Sequence, residues 1–181
     1  MGLRFRINDN FCSFFVTTTV IDFLRVFTRD KYFDILVEAL DICREKYRFK
    51  LVAYVFMPSR LHVIIWPSGE GTVSAIMRDF KKFTSKRMKD QLMRDTSELL
   101  PHFQRAPVGY KGQEFKLWMD RFDNVAIASP DVLETKIAYI HDNPVRAGLV
   151  KTSVEWKYSS ARNYFLNDHS VIQVECDAVL V

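Results

Sequence analysis

The chain has 181 residues, a net charge of +4 and 14% aromatic residues, a balance that suits one globular domain with a full hydrophobic core. Its three cysteines, Cys12, Cys43 and Cys176, are odd in number and form no CxxC pair, which argues against a disulfide framework and against a cysteine zinc site. Neither a secretory signal nor an apolar run of about 20 residues is visible, so we expect a cytoplasmic protein.

The first half of the chain predicts a strand, a helix and two further strands, over residues 11–20, 31–47, 49–57 and 61–66. The strand segments are rich in Phe, Val, Ile and Thr, whereas the helical segment has apolar residues at helical spacing. Asp30 is placed to cap the helix. The last two strands are predicted to form a hairpin, because residues 58–60, Pro-Ser-Arg, are typical of a turn.

The second half predicts a long amphipathic helix over residues 72–92, a loop over 102–112, a strand over 114–127 and a final helix. Ser129 and Pro130 are expected to begin that helix as its cap and first residue. We expect it to end before Pro144, because the residue preceding a proline disfavours helical geometry.

This order of elements predicts an α+β fold, a ferredoxin-like βαββαβ sandwich with two helices on one face of an antiparallel sheet. An added C-terminal helix follows the sandwich. We expect a single domain over residues 1–181, with a core of about 11–165 and a C-terminal tail over 166–181. The fold hosts many functions and decides none of them.

Two pairs of polar residues are candidates for a functional site. Arg60 and His62 share one face of a predicted strand, which suits a metal or phosphate site. The alternative is that His62 is a hydrogen-bonded histidine within the sheet and Arg60 is a charged residue of the turn. Tyr139 and Asn143 lie four residues apart on one helix face, where a tyrosine can attack phosphorus and an amide oxygen can bind a hard cation. Alternatively, Tyr139 packs in the core and Asn143 ends the helix.

The predicted helix over residues 72–92 is strongly basic. Its cations can bind phosphates, although a solvated charged face is the commoner role of such residues. Trp118 and Phe122 are aromatic residues that could stack on bases. The basic residues of this helix that we expect to contact nucleic acid are Arg78, Lys81, Lys82 and Lys86.

Five segments, in this order, resemble the motifs of the single-tyrosine HUH transposases, most closely the REP-associated tyrosine transposases. They are residues 57–62, 76–85, 118–123, 139–150 and 156–160. The first contains the Met-Pro-x-x-x-His pattern of the HUH region. The fourth, YIHDNPVRAGLV, is the most specific and resembles the family's nucleophile helix and the turn after it. The third has Met119 where the family usually has Gln.

The resemblance implies binding of single-stranded or hairpin DNA. In that family two histidines hold Mg²⁺ or Mn²⁺ at the scissile phosphate, and a tyrosine forms a 5′-phosphotyrosine. By similarity, Tyr139 is the nucleophile, His62 the second histidine and a metal ligand, and Asn143 the ligand from the helix. Arg60 and Arg121 join the basic residues expected to contact DNA, and a homodimer is possible in such a family.

Arg60 departs from the family pattern, because it stands where the first HUH histidine belongs. A guanidinium has no free lone pair for a metal and would repel a cation, although it is well shaped to hold a phosphate. We therefore expect a transposon-related DNA-binding protein with weak or absent strand cleavage, which uses Mg²⁺ or Mn²⁺ only if it is active. The alternatives are an active transposase that cleaves and rejoins DNA through Tyr139, and an RNA-binding module on the same sandwich.

Overall fold

The computed structural model describes residues 13–67, 71–105 and 114–176. Four strands and five helices, besides two short 3-10 turns, make up this part of the chain. In chain order they are β1 (Ser13–Thr19), α1 (Asp30–Tyr47), β2 (Lys50–Met57), β3 (Arg60–Trp66), α2 (Val73–Arg94), α3 (Leu100–Arg105), β4 (Asp123–Ile127), α4 (Pro130–Arg146) and α5 (Ala161–Leu166).

The four strands form one antiparallel sheet in the order β2-β3-β1-β4. This order is that of a ferredoxin-like sandwich, so the predicted fold class is confirmed. The register sets a row of residues across the middle of the sheet. Val55 in β2, His62 in β3, Thr17 in β1 and Asp123 in β4 are successive neighbours in that row.

Helices cover both faces of the sheet. On the α1–α2 face, α1 and α2 pack on a large core that includes Leu61 and Val63 of β3. On the α4 face, Ile137 and Ile140 of α4 pack on a smaller core that includes Ile64. Because successive residues of a strand point to opposite faces, His62 lies on the α4 face. The added C-terminal helix of the prediction is therefore present and covers the free side of the sheet.

The helix starts follow local chemistry. The side chains of Thr72 and Ser129 accept hydrogen bonds from the backbone N–H groups of Ala75 and Val132, which confirms the predicted start of α4. At α1 the prediction was wrong by one residue, since Arg29 holds the cap position and Asp30 is the first helical residue.

The end of α4 also differs from the prediction. The helix continues through Pro144 to Arg146 instead of stopping before the proline. Pro144 lies in the last turn, so it removes only the N–H that would bond the carbonyl of Ile140. The chain then turns at Gly148, whose φ of +68° suits glycine.

The segment before β4 is less regular than predicted. Of the strand expected over residues 114–127, only Asp123–Ile127 forms a strand, and Trp118 makes an isolated bridge with Val20. The loop expected over residues 102–112 begins inside α3, and residues 106–113 lie outside the described part of the chain.

The predicted C-terminal tail is partly integrated into the core. Ile172 and Val174 are buried, and the N–H of Glu175 donates to the carbonyl of Leu51 at 2.8 Å. The described part of this segment therefore covers the outer edge of β2. No helix within residues 13–67, 71–105 and 114–176 is long and apolar enough to cross a membrane.

Candidate nucleic-acid interface

His62 lies at the centre of the α4 face and is only 3% exposed. Its Nδ1 lies 2.8 Å from the hydroxyl oxygen of Thr17, its neighbour across the sheet. Its Nε2 is buried and has no hydrogen-bond partner among the described residues. Burial, together with the charges of Arg60 and Lys136, lowers the pKa of His62 to about 4. The imidazole is therefore neutral near pH 7 and has one free nitrogen.

Tyr139 lies against His62 in the same chain. Their ring centroids are 5.5 Å apart and the rings are nearly perpendicular, at 76°. Phe15 stacks on His62 at 5.5 Å and meets the edge of Tyr139 at 5.9 Å. The structure thus brings together the two residues that the resemblance names as catalytic.

Positive side chains surround this aromatic cluster. The Nζ atom of Lys136 lies 4.7 Å from the centroid of Phe15 and 6.0 Å from that of Tyr139. The guanidinium carbon of Arg146 lies 5.7 Å from the centroid of Tyr139, and its Nε lies 4.0 Å from a carboxylate oxygen of the exposed Asp142, a loose ion pair. Arg60 lies on the same sheet face, two residues before His62 in β3. A group of cations beside stacked aromatic rings favours a phosphate-bearing ligand with flat bases.

Lys136 and Arg146 were missed from the sequence, although a signal for them exists. They lie three residues before and seven residues after Tyr139, so both fall on the helix face that carries the tyrosine. Helical spacing around a candidate nucleophile would have identified them.

The side chains at the centre do not fit a divalent cation. The amide nitrogen of Asn143 donates to the carbonyl of Tyr139 at 2.9 Å, which leaves only its amide oxygen for another partner. One imidazole nitrogen and one amide oxygen are a poor donor set, and Arg60 and Lys136 add positive charge beside them. Within the described residues, no three His, Cys, Asp or Glu side chains come together as a metal site.

The basic residues of α2 lie on the other side of the molecule, because α2 packs on the α1–α2 face. Arg78 pairs with Asp79 at 3.1 Å. Lys82 and Lys86 are exposed and form no ion pair within residues 13–67, 71–105 and 114–176. The predicted DNA-contacting residues therefore occupy two separate surfaces, with Arg60 alone among them on the α4 face.

Lys81 has a structural role. Its Nζ donates to the carbonyls of Met119, Asp120 and Arg121, at 2.8, 3.4 and 3.2 Å, and burial lowers its pKa to about 8. The lysine thereby holds the segment before β4 against α2. Arg121 itself is exposed at this segment.

Trp118 was wrongly expected to be available for base stacking. It is 4% exposed, and its indole N–H donates to the hydroxyl of Thr84 at 2.8 Å in the core. Phe122 is half-buried, with the Nζ of Lys81 5.7 Å from its ring centroid.

His141 anchors α4 to the sheet. Its Nε2 lies 2.9 Å from the hydroxyl of Ser160, which also bonds the backbone N–H and carbonyl of Tyr54 in β2. Burial lowers the pKa of His141 to about 4. This network holds the helix that carries Tyr139 at a fixed position on the α4 face.

No family model matches the sequence, and no curated protein matches it. The structure is similar to that of a REP-associated tyrosine transposase bound to a REP hairpin, with a TM-score of 0.66 and 18% identity. That similarity covers 97% of this chain and 99% of the other. A candidate transposase from Deinococcus radiodurans R1 matches only weakly, at a TM-score of 0.47 and 16% identity, over 72% of this chain and 88% of that one. The chain has the fold of a REP-associated tyrosine transposase.

Proposed function

We propose that this protein is a transposon-related DNA-binding protein that binds single-stranded or hairpin DNA on its α4 face. One observation carries the proposal: Lys136, Arg146 and Arg60 surround the Tyr139–His62 ring pair on one sheet face. The cations suit backbone phosphates, and the tyrosine ring suits stacking on an unpaired base. The solved structure with the same fold holds a REP hairpin, which supports DNA as the ligand class.

The exposed cations on the opposite side form a second, weaker contact surface in this proposal. A bent or hairpin strand that passes the edge of the molecule would contact Lys82, Lys86 and Arg121, all of which are exposed. Arg78 and Lys81 contribute less, because their charges are already engaged by Asp79 and by backbone carbonyls.

Strand cleavage is weak or absent in this proposal. A metal would have to stabilise the charge that develops on the phosphate, and the donor set around His62 does not fit one. The second candidate, an active transposase, is favoured by the contact between Tyr139 and His62. A covalent protein–DNA adduct that forms on the natural protein and not on Tyr139→Phe would establish that activity.

Fluorescence anisotropy with a labelled hairpin, a single strand and a plain duplex tests the proposal. We expect the first two to bind more tightly than the duplex. Charge reversal by Lys136→Glu or Arg146→Glu should weaken binding by roughly tenfold or more, because each removes a charge-assisted contact. Arg94→Glu, an exposed cation at the end of α2, is the matched control. An RNA strand of the same sequence that binds more tightly than the DNA would favour an RNA-binding module instead.

A further inference from the structure

A small cavity lies beside the candidate interface, between the β2–β3 turn and the end of α4. Its volume is about 160 Å³, and its lining includes Arg25, Ser59, Arg60, Ala147 and Leu149. No carboxylate of the described residues lines it. Two arginines thus share one small space that also offers a hydroxyl.

Neither arginine has a counter-ion in the part of the chain that the structure describes. Within the same residues, Arg25 and Arg60 form no side-chain hydrogen bond. Two arginines that line one cavity carry like charges, and an anion bound between them would offset their repulsion. Each guanidinium offers a planar fork of N–H donors that matches phosphate oxygens.

The loop that carries Arg25 has an unusual backbone. Asp22 and Phe23 both adopt left-handed geometry, with φ of 52° and 55°. Hydrogen bonds from Ile21 N–H to Leu117 and from Phe27 N–H to Pro58 hold the two ends of the loop. Unlike Arg48 and Asn167, whose positive φ ends a helix, these two residues form no helix cap, and strained backbone of this kind clusters at functional sites. Here it leaves Phe23, two residues before Arg25, 63% exposed, as a stacking platform requires.

We infer that Arg25 and Arg60 together bind one backbone phosphate of the DNA strand that passes Tyr139, and that Phe23 stacks on a neighbouring base. The inference rests on the proposed function. Arg60 and His62 lie about 7 Å apart along β3 on one sheet face, so a strand whose phosphate is held by Arg60 passes close to the His62–Tyr139 ring pair. In the family pattern, a metal-binding histidine stands at this position. In this chain Arg60 stands there instead and forms part of an anion site.

A methylphosphonate scan tests the inference, because each substitution removes the charge of one phosphate. We expect the natural protein to bind roughly tenfold more weakly when the phosphate that the two arginines hold is neutralised, in addition to any positions at which Lys136 or Arg146 holds a phosphate. The double variant Arg25→Gln, Arg60→Gln should bind the unmodified strand about as weakly and should no longer respond at that position. Because both side chains hold the same phosphate, the double variant should lower the salt slope by about 0.7, the value for one phosphate, and neither single variant should lower it by more.

Arg29→Gln is the matched control, since Arg29 is an exposed arginine just before α1 and does not line the cavity. If the natural protein binds DNA and the Arg25 and Arg60 variants bind like the control, the inference is overturned while the proposed function stands. If no DNA binds at all, both fail.

A second measurement needs no DNA. In ¹⁵N spectra of the arginine side chains, inorganic phosphate should shift the Nε–H signals of Arg25 and Arg60 together, with saturation at about millimolar concentration. The signal of Arg29 should not follow them. Unchanged signals, or equal shifts in all three, would overturn the two-arginine pocket.

Discussion

The hydroxyl oxygen of Thr17 lies 2.8 Å from Nδ1 of His62, while Nε2 on the other side of that imidazole is buried without a partner in the described part of the chain. The bond fixes the ring on the sheet and leaves one nitrogen for a ligand. The ring also contacts Tyr139 and Phe15. A neutral, oriented imidazole beneath an aromatic cluster is therefore the central feature of this face.

The stability of the protein should depend on pH through His62 and His141. Burial lowers both pKa values to about 4, whereas an unfolded histidine titrates near 6.5. The unfolded chain therefore takes up more protons below pH 6.5, and stability that is present above pH 6.5 declines as the pH falls towards 4. We expect the titration of each imidazole to lower the free energy of unfolding by about 2 kcal/mol between pH 7 and pH 5.

Urea denaturation at pH 5, 6, 7 and 8 measures this dependence. His62→Asn should remove about half of the decline between pH 7 and 5 and leave the part that comes from His141. A stability that stays constant over this range, or a decline that is unchanged in the variant, would contradict the assignment of neutral imidazoles.

Arg60→His should create a metal site. The new histidine would lie two residues from His62 on the same sheet face, and the positive charge of the guanidinium would be gone. In the family pattern, the amide oxygen of Asn143 on α4 is the third ligand. Calorimetry with Mn²⁺ should detect binding to this variant and little or none to the natural protein. Arg25→His is the control, because it also replaces an arginine of the cavity with histidine but lies outside the strand. Tight binding of Mn²⁺ by the natural protein would instead favour the active-transposase hypothesis.

The sequence predicted the sheet and the main helices because their signals are local. Apolar spacing identified α1 and α2, and Ser129 with Pro130 identified the start of α4. The end of α4 was mispredicted, since a proline in the last turn costs only one backbone hydrogen bond. Trp118 was misjudged because its burial depends on packing between helices that are distant in sequence.

The candidate site was only partly predictable. Residue type and spacing made Tyr139, His62 and Asn143 candidates, and their roles came from a resemblance. Helical spacing around Tyr139 would have added Lys136 and Arg146, but their contacts with the rings depend on α4 covering the sheet. Arg25 gave no sequence signal, because its place in the cavity depends on a strained loop. The division of the basic residues between two surfaces likewise depends on which sheet face each helix covers.

Ser160→Ala should destabilise the protein by roughly 1–3 kcal/mol. The substitution removes the hydroxyl that bonds both His141 and the backbone of Tyr54, and it leaves the buried Nε2 of His141 without that partner. Chemical denaturation at pH 7 measures the change. Ser74→Ala, at an exposed position of α2, is the control and should alter stability by only a few tenths of a kcal/mol. Equal effects of the two substitutions would show that the network does not hold α4.

Charge reversal on α2 should weaken DNA binding less than charge reversal on the α4 face. Lys82→Glu with Lys86→Glu removes two exposed cations of the second surface, so we expect affinity to fall for all sequences. The salt slope should flatten by about 0.7 for each phosphate that the variant no longer binds. Anisotropy titrations over a range of salt concentrations measure both quantities. If neither affinity nor slope changes, these lysines are only a solvated surface.

Hydrogen–deuterium exchange with and without a hairpin oligonucleotide tests the central claim most directly, because it reports which sheet face the DNA covers. We predict slower exchange at the N-terminal end of β3, in the loop that carries Arg25 and around the end of α4, with smaller changes along α2. Slowed exchange confined to α1 and α2, with the segments around His62 and Tyr139 unchanged, would contradict DNA binding on the α4 face.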